Sequence, residues 1–107
     1  MEAGVFEKRL FSYEQAAALL PELHRLTEEA VRQVEALRES GEAAEARISH
    51  LVAAWTRGVM ARGVEVKGLW LLDFDNGSGY YCWRYPERGI QYYHSYEDGF
   101  RSRIRIH

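Results

Sequence analysis

The spacing of hydrophobic residues changes near Val64, and that change limits the fold more than any other feature of the chain. Between Ser12 and Gly63, apolar residues recur every three or four positions, as on one face of an α-helix. After Val64 they alternate with polar residues, and short turn motifs interrupt the pattern. The sequence therefore predicts an α+β fold in which the helices come first and the strands second.

The first half is predicted to contain two helices joined by a short link. Ser12 followed by Gln15 fits a capping box, so the first helix should begin there. Pro21 lies well inside the apolar pattern and should kink this helix or mark its true start. A second helix should begin near Glu42. Because the link is short, we expect an antiparallel two-helix hairpin over residues about 12–62.

The second half is predicted to be a three-stranded antiparallel β-meander over residues about 64–107. Two segments rich in turn-forming residues, Asn76–Gly79 and Pro86–Gly89, separate the strands. Asp98 and Gly99 turn the chain again, so the last residues can form a further short strand. The three strands are predicted over residues about 69–75, 80–85 and 90–95.

Pairing the strands across four-residue turns predicts which side chains share a face. Asp73, Cys82 and Tyr93 fall side by side on one face. The opposite face, which includes Trp83 and His94, is more apolar and is expected to pack on the helices. A shift of one residue in any pairing would move that strand's side chains to the other face.

The bulk properties exclude several classes of protein. The chain has 107 residues, which is typical of a single domain over residues 1–107. It has one Cys, no apolar run that would predict a signal peptide or a membrane span, and a net charge of −2. These features favour a cytoplasmic protein without a membrane partner, and make nucleic acid an unlikely ligand.

The predicted elements differ in size, which favours self-association. The first helix would be roughly 40 Å long, since an α-helix rises about 1.5 Å per residue. Three strands about 4.8 Å apart make a sheet only roughly 15 Å wide. Because such a sheet cannot cover both helices, we expect a homodimer or another homo-oligomer that buries the remaining apolar face.

Polar residues among the aromatic side chains of residues 70–100 form the candidate ligand site. His94 is either a general base or a metal ligand, or else a buried imidazole hydrogen-bonded to a carboxylate or carbonyl. Asp73 is expected to pair with Arg84, or to anchor a cationic or hydroxylated ligand. Glu87 lies in a turn, where functional residues are common. The candidate ligand site consists of Asp73, Arg84, Glu87, His94 and Arg103.

Metal and cofactor binding are not predicted. No Cys-x-x-Cys or His-Glu-x-x-His spacing is present, so no metal site and no cofactor are expected. Cys82 is expected to be an inert buried thiol, since a reactive cysteine needs neighbours that lower its pKa.

The motifs of the second half resemble those of a known family. They are Asp73-Phe74, Cys82-Trp83 followed by Glu87, and Tyr93-His94, together with Leu20-Pro21 in the first helix and Gly99-Phe100 with Arg103 near the end. With these motifs, nearly the whole chain resembles the prokaryotic domain-of-unknown-function family number twenty-two-oh-three. The resemblance implies no known activity, and it points to the same cluster of residues.

Three functions remain open from the sequence. The first is a binding or interaction module that self-associates. The second is a small enzyme that uses His94 with a nearby carboxylate in acid–base chemistry, although a non-enzymatic role is favoured. The third is a weak nucleic-acid binder that uses the arginine-rich end of the chain, namely Arg101, Arg103 and Arg105.

Overall fold

The computed structural model describes residues 8–40 and 44–106, in which two helices precede an antiparallel sheet. Helix α1 spans Tyr13–Glu39, and its first turn has the predicted reciprocal capping box between Ser12 and Gln15. Helix α2 spans Glu45–Met60. The predicted start of the second helix, Glu42, lies outside the described residues. The antiparallel hairpin is confirmed, because contacts pair early residues of α1 with late residues of α2.

Two of these contacts show the direction of the helices. The Arg62 side chain, just after α2, lies 2.6 Å from Glu22. Further along α1, Thr27 accepts a 2.8 Å hydrogen bond from the indole N–H of Trp55. Helix α1 continues without interruption through Pro21, so the late start considered from the sequence is wrong.

Within residues 8–40 and 44–106, the sheet has five strands rather than the predicted three, in the order β1-β2-β3-β4-β5. All neighbouring pairs are antiparallel. The meander prediction therefore found the three central strands, missed the first edge strand and gave the last one only as an option. The five strands are β1 Glu65–Gly68, β2 Leu71–Asp75, β3 Gly79–Arg84, β4 Tyr92–Ser95 and β5 Ile104–Arg105.

The two edge strands have separate physical origins. Strand β1 turns directly into β2 through Leu69 and Trp70, and Trp70 has a positive φ of 64°. A short 3₁₀ turn over Phe100–Ser102 leads the chain into β5, which pairs with Tyr92 and Tyr93 of β4. The prediction treated the first edge strand as part of the connection and left the second as an option.

The strand pairing confirms one predicted register and corrects another. Asp73 of β2 lies opposite Cys82 of β3, as predicted. On the next strand, however, Cys82 lies opposite Tyr92 and not Tyr93. The predicted pairing of β3 with β4 was therefore wrong by one residue. The prediction assumed a four-residue turn between these strands, whereas seven residues, 85–91, separate them. The shift moves His94 to the face that carries Asp73 and Cys82.

The opposite face of the sheet packs on the helices. Leu72, Phe74 and Trp83 are completely buried there, as predicted, together with Ile90 of the loop. Trp55 of α2 is also buried and packs edge-on against Trp70. Among the described helices, neither is both long enough and apolar enough to cross a membrane.

Candidate functional site

The face of the sheet that points away from the helices carries a pocket, which we call the sheet pocket. Its floor is formed by three buried side chains from three neighbouring strands: Asp73, Cys82 and His94. Lys67 and Phe100 are among the residues of its wall, and its volume is about 300 Å³. Because β2, β3 and β4 each contribute one floor residue, the site depends on the register of all three strands.

His94 is held on both sides of its ring. Nδ1 lies 2.9 Å from the backbone carbonyl of Ser95, and Nε2 lies 3.0 Å from Oδ2 of Asp73. A carbonyl oxygen can only accept a hydrogen bond, so Nδ1 carries a proton and donates it. One further proton must then lie between Nε2 and the Asp73 carboxyl group, since two lone pairs facing each other would repel. Because Asp73 lies on β2 and His94 on β4, their hydrogen bond spans β3, the strand that carries Cys82.

One of the two oxygens of the buried Asp73 carboxyl group accepts no hydrogen bond from the described residues. The residue is 2% exposed, and its second oxygen, Oδ1, has no hydrogen-bond partner among the described residues. Burial raises the pKa of Asp73, although the neighbouring His94 opposes this rise by favouring the carboxylate. A buried oxygen without a partner costs about 1–3 kcal/mol of stability, which a bound ligand would relieve.

Cys82 completes the floor of the sheet pocket as an unreactive thiol. Burial, followed by the negative charge of Asp73, raises the pKa of Cys82 to about 12, while Arg103 acts in the opposite direction. The guanidinium Nη1 of Arg103 lies 4.0 Å from the sulfur. A thiol whose pKa is raised in this way keeps its proton near neutral pH and is a poor nucleophile.

Glu87 and Arg103 form a separate ion pair beside the floor. Their closest atoms, Oε2 and Nη2, are 2.9 Å apart, and a second contact joins Oε1 and Nη1 at 3.1 Å. The Arg103 guanidinium also lies over two rings, 3.9 Å from the centre of Tyr92 and 4.1 Å from that of Phe100. This pair ties the turn after β3 to the end of the chain.

Arg84 is not among the residues that line the sheet pocket. Its side chain is exposed, and its guanidinium approaches the ring of Phe100 at 5.6 Å. Its backbone N–H donates to Glu87. The expected pairing of Asp73 with Arg84 is replaced by the pairing of Asp73 with His94. The structure thus brings together Asp73 with His94 and Glu87 with Arg103. The sequence placed Cys82 beside Asp73 but left it out of the candidate ligand site, and it placed His94 on the opposite face.

A larger cavity of about 450 Å³ lies between α1 and the loop after β3. Two of the polar side chains that line it, Tyr13 and His24, have contacts within the chain. The hydroxyl of Tyr13 donates to the carbonyl of Ile90, and the ring of His24 packs against Trp83 and Tyr85. We therefore regard the smaller sheet pocket as the candidate site, because it contains the buried ionisable groups.

The comparison with protein families agrees with the sequence resemblance. The model of a family described as uncharacterized conserved protein (DUF2203) matches residues 9–106. The chain belongs to this family. The match includes every residue of the sheet pocket. A search of curated proteins finds no match, and a search of solved structures finds none either.

Proposed function

We propose that this member of the DUF2203 family is a ligand-binding module and that the sheet pocket is its binding site. The observation that carries the proposal is Oδ1 of Asp73, which is buried at the pocket floor without a hydrogen-bond partner among the described residues. An ionised carboxylate only accepts hydrogen bonds. The ligand therefore presents a hydrogen-bond donor or a positive charge to Asp73.

The arrangement of His94 favours binding over acid–base catalysis. A general base must offer a nitrogen within hydrogen-bond reach of its substrate. Here Ser95 engages Nδ1 and Asp73 engages Nε2. A reaction at His94 would first have to break one of these two hydrogen bonds, whereas an organic ligand that bonds to Oδ1 of Asp73 breaks neither.

The environment of Arg103 argues against the nucleic-acid alternative. Its guanidinium is held by Glu87 and lies against two aromatic rings. The three arginines near the end of the chain therefore do not act as one free basic strip, which supports our expectation that nucleic acid binds weakly.

Self-association is a second proposal, and an open groove on the helices supports it. The groove lies between the late part of α1 and the early part of α2, and its apolar members include Ala36, Leu37 and Leu51. A second copy of the chain would cover it. We expect light scattering to show more than one chain per particle, and Leu51→Arg to lower that mass. A monomer mass for the wild-type protein would refute this proposal.

The cytoplasmic location stays a prediction from the single Cys.

A thermal-shift screen tests the proposed ligand site. Small amines, amidines and polyols should raise the melting temperature of the wild-type protein more than carboxylates of similar size do. Asp73→Asn replaces one of the two accepting oxygens with an N–H donor, so this variant should lose the increase in melting temperature. Glu28→Gln is the matched control, because it neutralises an exposed acid on α1 away from the pocket.

Two results would contradict the proposal. One is a set of shifts that survives in folded Asp73→Asn. The other is a preference for anionic compounds in the wild-type protein.

A further inference from the structure

Three side chains that commonly ligate transition metals converge at the floor of the sheet pocket. Asp73, Cys82 and His94 each offer one ligand atom, and the three atoms lie within 4.8 Å of one another. The residues are 2%, 0% and 4% exposed, respectively. Metal–ligand distances of about 2.0–2.3 Å place the ligands of a tetrahedral Zn²⁺ ion roughly 3.3–3.6 Å apart. The cluster can therefore close around an ion with movements on the order of 1 Å.

We propose that Asp73, Cys82 and His94 together bind a divalent transition-metal ion, with Zn²⁺ as the best fit. Zinc takes carboxylate, thiolate and imidazole ligands, whereas Mg²⁺ and Ca²⁺ prefer oxygen ligands alone. This inference rests on the proposed function, because the ion is the positive charge that Asp73 would accept.

The hydrogen bonds of His94 already match those of a metal ligand. A histidine that binds a metal through one ring nitrogen usually donates the other N–H to a carbonyl or carboxylate, which fixes the ring. Ser95 provides that carbonyl, at 2.9 Å from Nδ1. Nε2 is then the ligand atom, and the ion would replace the proton that Nε2 shares with Asp73.

The charges around the cluster permit a buried cation. Binding would release two protons to solvent, one from the Cys82 thiol and one shared by His94 and Asp73. The resulting carboxylate and thiolate would neutralise a divalent ion, so the occupied site would carry no net charge. The two neighbouring cations have their own acidic partners, since Arg103 pairs with Glu87 at 2.9 Å and Lys67 pairs with Glu65 at 3.2 Å. Repulsion of the ion by these two side chains is therefore reduced.

The number of ligands indicates an accessible metal. Structural zinc sites usually have four protein ligands, while sites that exchange a ligand have three and an open position. Three ligands are present here among the described residues. The fourth position is left for a molecule that enters through the pocket, which Lys67 and Tyr80 also line.

Cobalt substitution tests the site with the complete, tag-free chain. Co²⁺ bound by a thiolate gives a charge-transfer absorption in the near ultraviolet, and Cys82 is the chain's single cysteine. We expect this band to saturate at one ion per chain, to disappear when Zn²⁺ is added and to persist when Mg²⁺ is added. Cobalt binding without the band, or no binding at micromolar concentration, would overturn the proposal, and neither result depends on a variant that folds.

Variants assign the other two ligands. His94→Gln and Asp73→Asn should each weaken binding by about tenfold or more, since even partners of metal ligands contribute on that scale. His50→Gln, which changes an exposed histidine on α2, should leave the affinity unchanged. Unchanged affinity in folded His94→Gln would overturn the assignment.

The outcomes also separate this inference from the proposed function. An organic ligand whose thermal shift depends on Asp73, in a protein without the cobalt band, would overturn the metal site and leave the binding module in place. The absence of both would overturn both.

Discussion

Gly79→Ala tests the strand register that assembles the sheet pocket. Gly79 lies opposite Ser95, where β3 and β4 approach closely. A Cβ atom added there would lie 2.6 Å from the carbonyl oxygen of His94, whereas ordinary contacts begin near 3.4 Å. The neighbouring strand must therefore move by about 0.8 Å, and the backbone of His94 must move with it.

The expected cost follows from this overlap. Forcing extra atoms into a packed site typically costs about 1–3 kcal/mol. For a chain of this size, that lowers the melting temperature by roughly 5–15 °C. Circular dichroism during thermal unfolding measures the change, and the affinity for Co²⁺ should fall with it because His94 is displaced.

Gly89→Ala is the matched control. An added Cβ at Gly89 would meet nothing within 4 Å, and its φ lies outside the left-handed region. This variant should be neutral or slightly stabilising, by less than about 1 kcal/mol. If both variants melted within about 1 °C of the wild-type protein, the pairing of Gly79 with Ser95 would be wrong.

Three further predictions concern the core and the end of the chain. Thr27→Val should cost about 1–3 kcal/mol in denaturant unfolding because it leaves the buried indole N–H of Trp55 without its acceptor, and it should cost less in a Trp55→Phe background. Trp83→Ala should cost about 3–5 kcal/mol, and a melting temperature within about two degrees of wild type would contradict its burial. Anisotropy titrations should show weak or no nucleic-acid binding near physiological salt. The refuting result is a submicromolar affinity that is lost when alanine replaces Arg101, Arg103 and Arg105.

The helices and the β2–β3 hairpin could be predicted because local residues determine them. Ser12 and Gln15 satisfy the first turn of α1 through their own side chains. In the β2–β3 turn, Gly77 adopts a φ of 96°, which glycine accepts without strain. Such positions have a residue type that matches their backbone, so the sequence indicates both the turn and its length.

The remaining strands depend on tertiary contacts, which leave no local sequence signal comparable to the capping box or the glycine turn. Trp70 adopts a left-handed φ, where glycine or asparagine would be expected, so the β1–β2 turn could not be recognised. The loop after β3 contains Pro86 and Gly89, which indicate a turn but not its length. Ile90 packs into the helix-facing core instead of pairing with β3, and the loop is longer for that reason.

Two of the three residues at the floor of the sheet pocket were named as candidates from the sequence, but their assembly was not predicted. Asp73 and His94 were identified individually, yet the register error placed them on opposite faces. Linear metal motifs also require ligands close in sequence, whereas the cluster takes one ligand from each of three strands. Asp73 and Cys82 were predicted side by side, and only the correct pairing of β3 with β4 could have brought His94 into the same group.

X-ray absorption at the zinc K-edge of the zinc-loaded, 107-residue protein identifies the atoms bound to the ion. If Asp73, Cys82 and His94 bind zinc together, each zinc has one sulfur neighbour at about 2.3 Å, from Cys82, together with nitrogen and oxygen neighbours at about 2.0–2.2 Å. A zinc shell of nitrogen and oxygen atoms without sulfur would contradict the assignment of Asp73, Cys82 and His94 as one metal site.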